Sequence, residues 1–290
     1  MAPSGTHNRV FNSGRVAVGM AYSRTAARLV DELSDVLDYV EYPYELLVSS
    51  ESVAAEAGSR NAILHSASLS LASADPPSVE LACSVADVAR RLSSPWIGEH
   101  LAFISARPSE DAPRNDPIEQ FDIGFTVSPP MNAQTIDNVT AALTVAYSAT
   151  ERPFIIENSP IYLWLPGSTM PQSQVLVEIC QQADTGLLFD LAHLLITCDT
   201  LALDPMETIR GYPLDRVVEV HLSGVHRESG VLWDDHSITP DSAEYDLLRV
   251  VLDEAPVKAI THEYNWPPEL DVGLARREVD RTLDLIVSRT

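Results

Sequence analysis

The sequence predicts a TIM-type (β/α)8 barrel, and three observations carry that reading. Eight short apolar runs alternate with segments of helical spacing along the chain. Most of those runs end in a carboxylate or an imidazole, as barrel strands do where they deliver polar groups to the C-terminal mouth. Neither G-x-G-x-x-G nor the Walker pattern occurs, so a doubly wound sheet lacks its usual phosphate loop. The 290 residues suffice for one barrel of about 250 residues. Residues 16–290 are accordingly expected to form a single barrel domain, preceded by a flexible segment over residues 1–15.

The first strand is Val16 to Tyr22, VAVGMAY, and a helix follows over Thr25 to Leu37 with Leu29, Val30, Leu33 and Leu37 at helical spacing. Tyr39 to Leu46 is the second run. It carries Glu41 and Glu45, four apart and so on one strand face, although Pro43 between them argues that the strand ends there. Both are candidates for the mouth, against a surface or helix-capping role. The third run, Asn61 to Leu71, places His65 where strand passes into loop, and Pro76 and Pro77 open a helix over Ser78 to Leu92. Trp96 to Phe103 is the fourth strand. Its adjacent Glu99 and His100 face opposite ways, and His100 is preferred as a metal ligand because neutral imidazole costs less to bury, with Glu99 left to support it.

Ser105 to Pro130 lacks periodicity and contains Pro108, Pro113 and Pro117, so a lid or binding loop is expected there. A helix resumes over Thr135 to Tyr147. The fifth strand, PFIIEN over Pro153 to Asn158, ends in Glu157 and Asn158, and the aromatic, proline-rich SPIYLWLPGSTMPQ after it reads as a loop over the mouth. Gln172 to Ala183 is the next helix, followed by the sixth strand in GLLFDLAH, which delivers Asp190 and His193. Their three-residue step does not fit one strand face but fits a turn closing on a single ion. Leu194 to Ile196 read either as the start of a helix or as more strand. Arg216 to Gly224 is the seventh strand, with Glu219 and His221 on one face, and the loop beyond holds His226, Asp235 and the D-x-H pair Asp234 and His236. Val257 to Asn265 is the eighth, with His262, Glu263 and Asn265 near its end. A closing helix over Asp271 to Val287 is expected to carry Arg276, Arg277 and Arg281 on its solvated side.

Charge narrows the classes. A net charge of −23, with Lys258 the sole lysine, excludes the clustered cations of a nucleic-acid footprint and disfavours an anionic membrane surface. No run has the apolar length of a membrane span, and residues 1–15 lack a signal-type apolar stretch, so a cytoplasmic protein is expected. Cys83, Cys180 and Cys198 show no CxxC spacing; Cys83 and Cys180 are read as buried small hydrophobes, and a disulfide scaffold is not expected.

Strand ends and the loops after them collect His65, His100, Glu157, Asp190, His193, His221, Asp234, His236 and Glu263. So many imidazoles and carboxylates facing one cavity require compensating cations. The donors are nitrogen and oxygen without thiolate, which suits iron, manganese or zinc, and they exceed one octahedral sphere. A bridged centre of two or three metals is expected, with Glu157 as the bridge.

The runs LDYVEYPYE, ILHSASLSLASADP, WIGEHLAF, FIIENSPIYL, GLLFDLAH, VVEVHLSG, DDH and HEYN, in this order, resemble the multinuclear non-haem iron-dependent oxidative enzymes, the family that includes the iron-containing subunit of the methanobactin biosynthetic complex. The resemblance implies a xylose-isomerase-like barrel with two or three irons in mixed Fe2+/Fe3+ states and dioxygen as co-substrate. It implies modification of a cysteine in a ribosomally made precursor peptide, often with a small partner protein that recognises the leader. Carried onto this chain, it implies that His65, His100 and Glu157 hold one iron, Glu157, Asp190, His221 and Glu263 a second, and His193, Asp234 and His236 a third. Asp190, Glu157 and His193 are then the expected catalytic residues, and His226 stays outside the set. The rivals are a divalent-metal sugar isomerase or endonuclease on the same fold, with Glu157 and Glu263 bridging two ions, and a non-catalytic metal-dependent binding barrel.

Overall fold

A closed ring of eight parallel strands runs through the computed structural model, which describes residues 10–11, 14–106, 121–264 and 271–289. In chain order the elements are β1 (Ala17–Ala21), α1 (Ala27–Glu32), β2 (Tyr39–Pro43), α2 (Tyr44–Ser49), α3 (Glu51–Ala57), β3 (Ala62–Ser66), α4 (Val79–Leu92), β4 (Ile97–His100), β5 (Phe103–Ala106) and β6 (Phe121–Val127). They continue with α5 (Ala133–Ala149), β7 (Phe154–Glu157), α6 (Gln172–Ala183), β8 (Gly186–Asp190), α7 (Leu191–Leu201), α8 (Pro205–Thr208), β9 (Val217–Leu222), β10 (His226–Glu228), β11 (Val231–Trp233), α9 (Ser242–Glu254), β12 (Ala259–His262) and α10 (Val272–Val287). The ring order is β1, β12, β9, β8, β7, β4, β3, β2, closing back on β1, while β5 with β6 and β10 with β11 form antiparallel pairs outside it. The predicted barrel is the observed fold.

Local chemistry sets the element boundaries. Pro43 ends β2, so Glu41 stays on the strand while Glu45 passes onto α2, where its carboxylate accepts from Ala67 N at 3.1 Å and Ser68 Oγ at 2.6 Å. Glu45 is thus a loop anchor away from the ring. Ser78, Asn132 and Asp271 cap α4, α5 and α10 by accepting from backbone N–H groups three residues on, and Asp241 with Glu244 forms a reciprocal capping box on α9. Each helix lays one apolar stripe on the strands, as α4 does with Ala82, Val85, Val88, Ala89 and Leu92. Inside the ring, Phe11, Tyr39, Ile63, Trp96, Ile155 and Leu188 close the N-terminal end with side chains alone.

Two expectations change, for Cys83 and the aperiodic segment, and two others become specific. Cys83 is exposed, because it sits on the solvent side of α4 between buried Ala82 and Val85, whereas Cys180 and Cys198 are buried; all three are free thiols. Leu194 to Ile196 belong to α7 and not to strand. The described ends of the aperiodic segment, β5 and β6, pair as antiparallel strands because backbone hydrogen bonding needs no apolar period. Arg281 is exposed as expected, and its guanidinium also lies 3.6 Å from the ring centroid of Tyr245. Asn265, residues 1–9 and 12–13 and the middle of the 105–130 segment lie outside the described residues. No helix of the described residues is long and apolar enough to cross a membrane.

Candidate metal centre

Parallel register brings the strand-end side chains level with one another. His65 pairs with Gly98, His100 with Glu157, and Asp190 with His221, so residues far apart in the chain become lateral neighbours at the C-terminal mouth. Glu157 stands among them. Its Oε2 lies 3.2 Å from His65 Nε2 and 3.1 Å from His100 Nε2, and its Oε1 lies 3.6 Å from His221 Nδ1. His221 Nδ1 is in turn 3.1 Å from Glu263 Oε2, with Asp190 completing that group.

A third cluster adjoins these two. His193 Nε2 lies 2.8 Å from Asp234 Oδ2, and His236 Nε2 lies 2.9 Å from Asp234 Oδ1 and 3.6 Å from Glu263 Oε2. His236 has a φ of +55°, a left-handed backbone uncommon for a residue with a side chain, and this turn folds its ring back onto Asp234 two residues earlier. The nine residues collected from strand ends and the loops after them are therefore gathered at one mouth. His226 is not among them; it opens β10 and faces Asp235 at 3.1 Å.

The second nitrogen of each imidazole shows which atom is free for a ligand. His100 Nδ1 donates to the Ser66 carbonyl at 3.2 Å, leaving Nε2 toward Glu157. His193 Nδ1 donates to the Asn158 carbonyl at 2.7 Å, which leaves Nε2 toward Asp234. Although Glu157, Asp190 and His193 also fall within ligand reach of one another, this hydrogen bond places His193 with Asp234 and His236. His221 Nε2 donates to Glu41 Oε2 at 3.2 Å, so Nδ1 faces Glu157 and Glu263. A buried carboxylate behind an imidazole fixes its ring and raises its basicity. Glu41 therefore has a place in the site, facing His65 and His221, that the expected ligand set leaves out.

Asn158 is a second such residue. Its side chain donates to the Asp190 carbonyl at 2.9 Å and accepts from Asp190 N at 2.8 Å, tying the end of β7 to the end of β8. Asp190 caps α7, and its Oδ1 accepts from His193 N at 2.6 Å, so the D-x-x-H step is also cap spacing, with Asp190 and His193 still within ligand reach of each other. Below the mouth, Glu219 accepts from Trp96 Nε1 at 2.7 Å and Thr261 Oγ1 at 2.6 Å, and burial pushes its carboxyl up to about 8 with Glu41 adding to the shift. It shares the strand face of His221, as the period of two requires.

Several buried atoms here make no well-directed hydrogen bond among the described residues: Asp190 Oδ2, and Glu157 Oε2, His221 Nδ1, Asp234 Oδ1 and His236 Nε2, which have only the imidazole–carboxylate contacts given above. Left unpaired they are costly, and their convergence fits cations of the kind that imidazole and carboxylate hold. Burial disfavours charge on His65 and His236, but Glu41 and Glu157 raise the first to about 9, and Glu263 and Asp234 raise the second to about 10. Burial pushes Asp190 up to about 7, against the opposing pull of His193.

A metal must displace the imidazole protons, so affinity should fall as pH falls. Between pH 8 and pH 6, chelator competition is expected to show roughly tenfold weaker binding per pH unit for each displaced proton. Metal affinity constant over that range would contradict this reading of the site.

Comparison with known proteins adds three findings. A family model described as "RiPP precursor modification enzyme MbnB/TglH/ChrH" matches residues 17–271. A UPF0276 protein of Caulobacter vibrioides is 26% identical over 219 residues, covering 75% of this chain and 74% of that protein. Another, from Streptomyces avermitilis, is 23% identical over 291 residues and covers 97% of this chain and 58% of its own length. Among solved structures, endonuclease IV from Thermus thermophilus superposes with a TM-score of 0.56 at 17% identity over 92% of this chain and 99% of that one. A xylose isomerase domain protein from Planctomyces limnophilus gives 0.53 at 14% identity over 94% and 97%. At such identities these structures establish the xylose-isomerase-like barrel and nothing about the reaction.

Proposed function

The chain belongs to the family of RiPP precursor modification enzymes described as MbnB/TglH/ChrH, and from that premise we propose that it is a dioxygen-dependent, multinuclear iron enzyme acting on a cysteine of a ribosomally made precursor peptide. The observation that carries the proposal is the set of adjoining buried imidazole and carboxylate groups at the mouth, within ligand reach of one another and short of well-directed hydrogen bonds, which supports more than one cation. His65, His100 and Glu157 would hold one metal, Glu157, Asp190, His221 and Glu263 a second, and His193, Asp234 and His236 a third. When bound, iron in such a site lowers the pKa of a coordinating thiol and exchanges electrons with dioxygen.

The chain's own residues do the rest. Glu157 and Glu263 join neighbouring groups through shared carboxylates, and the Glu41 carboxylate and Asn158 carbonyl each fix one imidazole's orientation. No cysteine of this chain is among the candidate ligands, which leaves the soft-donor position to the substrate thiolate. Residues 16–290 would act as one catalytic unit. A net charge of −23 suits a basic precursor, or else a separate recognition partner that carries the leader peptide.

Oxygen separates this reading from an isomerase or nuclease on the same barrel. The iron-loaded protein, mixed with a candidate cysteine-containing precursor peptide, is expected to change the peptide mass only when dioxygen is supplied. Equal turnover without oxygen, or equal processing of a cysteine-to-serine precursor, would refute the cysteine oxidation.

A further inference from the structure

An apolar rim borders the mouth on an otherwise acidic molecule. Tyr162, Leu163 and Trp164 follow β7, and Val231 and Trp233 lie on β11; their exposures are 39%, 67%, 38%, 40% and 43%. The two segments meet where the Tyr162 and Trp233 rings lie 5.4 Å apart between centroids. Singly exposed apolar residues need no explanation, but five large ones drawn from two touching segments do. The rim is held in shape from both sides: Ile161 N donates to Thr197 Oγ1 at 3.0 Å, fastening the loop to α7, and Asp234 N donates to the Tyr162 hydroxyl at 3.0 Å.

That second bond joins the rim to the metal centre. Asp234 directly follows Trp233 and faces both His193 and His236. Anything resting on the Tyr162 and Trp233 rings therefore lies within a residue or two of the candidate metal ligands. A peptide whose cysteine enters the mouth must place its neighbouring residues on this border, since extended chain advances only about 3.3 Å per residue. The loop also borders an open pocket of about 330 Å³ whose lining includes Trp164, Met170, Leu201, Leu203 and Tyr212.

Building on the peptide-modifying reading above, we propose that this rim is a specificity surface that binds a large apolar side chain of the precursor peptide close to the cysteine that is modified. Exposed carboxylates at Asp235 and Glu228 border the same hairpin and disfavour an acidic residue in that position. Aromatic faces also accept aliphatic and aromatic groups in more than one orientation, so the surface selects for apolar bulk and not for one side chain.

The test uses the iron-loaded full chain under argon and blocked peptides of the form acetyl-X-Gly-Cys-Gly-amide and acetyl-Gly-Cys-Gly-X-amide, with X as Phe, Leu, Ser or Glu. In at least one series the Phe and Leu peptides should bind about tenfold more tightly than the Ser and Glu peptides, the effect of partly burying one large side chain. Leu163→Ser, at a side chain two-thirds exposed and so dispensable for folding, should reduce that preference to less than threefold, and Trp233→Ser should do the same independently. Equal affinities for all X in both series, no binding by any peptide, or a preference that survives in both variants would overturn the proposal. Serine in place of the peptide cysteine tests the other reading separately. If it leaves affinity unchanged, the thiolate assignment fails while the apolar preference, if present, still stands.

Discussion

Glu157→Gln is expected to leave the protein with at most one metal per chain and to reduce peptide conversion below detection. The substitution keeps the shape of the side chain and removes its charge. Oε2 then no longer offers an anion to His65 and His100, nor Oε1 to His221. Replacing a residue that merely supports a ligand typically costs 10- to 100-fold in metal affinity, and a carboxylate placed between two groups should cost at least about 100-fold. Metal analysis of the protein purified anaerobically reads the result directly. His226→Ala is the control, because His226 faces Asp235 away from the cluster and its loss should leave metal content unchanged. A Glu157→Gln protein that retains the native metal complement would remove the basis for a bridged centre.

Gly98→Ala should be nearly as damaging, through space and not charge. A Cβ at position 98 would lie 2.4 Å from His65 Nδ1 and 3.3 Å from Leu188 Cδ1. β4 is paired on both sides, to β3 and to β7, so its backbone cannot retreat and the imidazole must swing away from Glu157. The expected outcome is loss of metal from the His65, His100 and Glu157 group and a stability decrease of about 1–3 kcal/mol from overpacking. Adding His65→Ala to Gly98→Ala should restore most of the lost stability while metal stays absent, a coupling that chemical unfolding measures. Native metal content in Gly98→Ala would show that the ring has room the geometry denies it.

The barrel and most of its mouth were legible because most of the buried strands carry a carboxylate or imidazole among apolar residues. Glu157, Asp190, His221 and Glu263 each terminate or follow an apolar run that would otherwise bury them without partners. Glu41 was harder to place. Its strand is shared with Tyr39 and broken by Pro43, and the sequence weighs it equally with Glu45 until the backbone turns into α2. The inward phase was nonetheless present, since Tyr39 reaches Glu219 inside the ring and Glu41 is two residues on. Asp190 and His193 were found without their second role, because a D-x-x-H step at a strand-to-helix junction is also a helix cap. Asn158 was noted beside Glu157, but its tie to Asp190 spans 32 residues and depends on a register that no single run encodes. The pairing of β5 with β6 left no period to read, being made of backbone hydrogen bonds.

The closure of β1 against β12 also bears on how the protein is made. Their register joins Ala17 to Ala259 and Met20 to His262, among the most distant contacts in the chain, and contacts of that separation form late because the loop entropy must first be overcome. Glu263 follows β12 directly. Paired β3, β4 and β7 suffice to bring His65, His100 and Glu157 together, yet the carboxylate that joins the His221 group to the His236 group is in place only once β12 has paired with β1 and β9. Assembly of the full residue cluster therefore waits on the docking of β12.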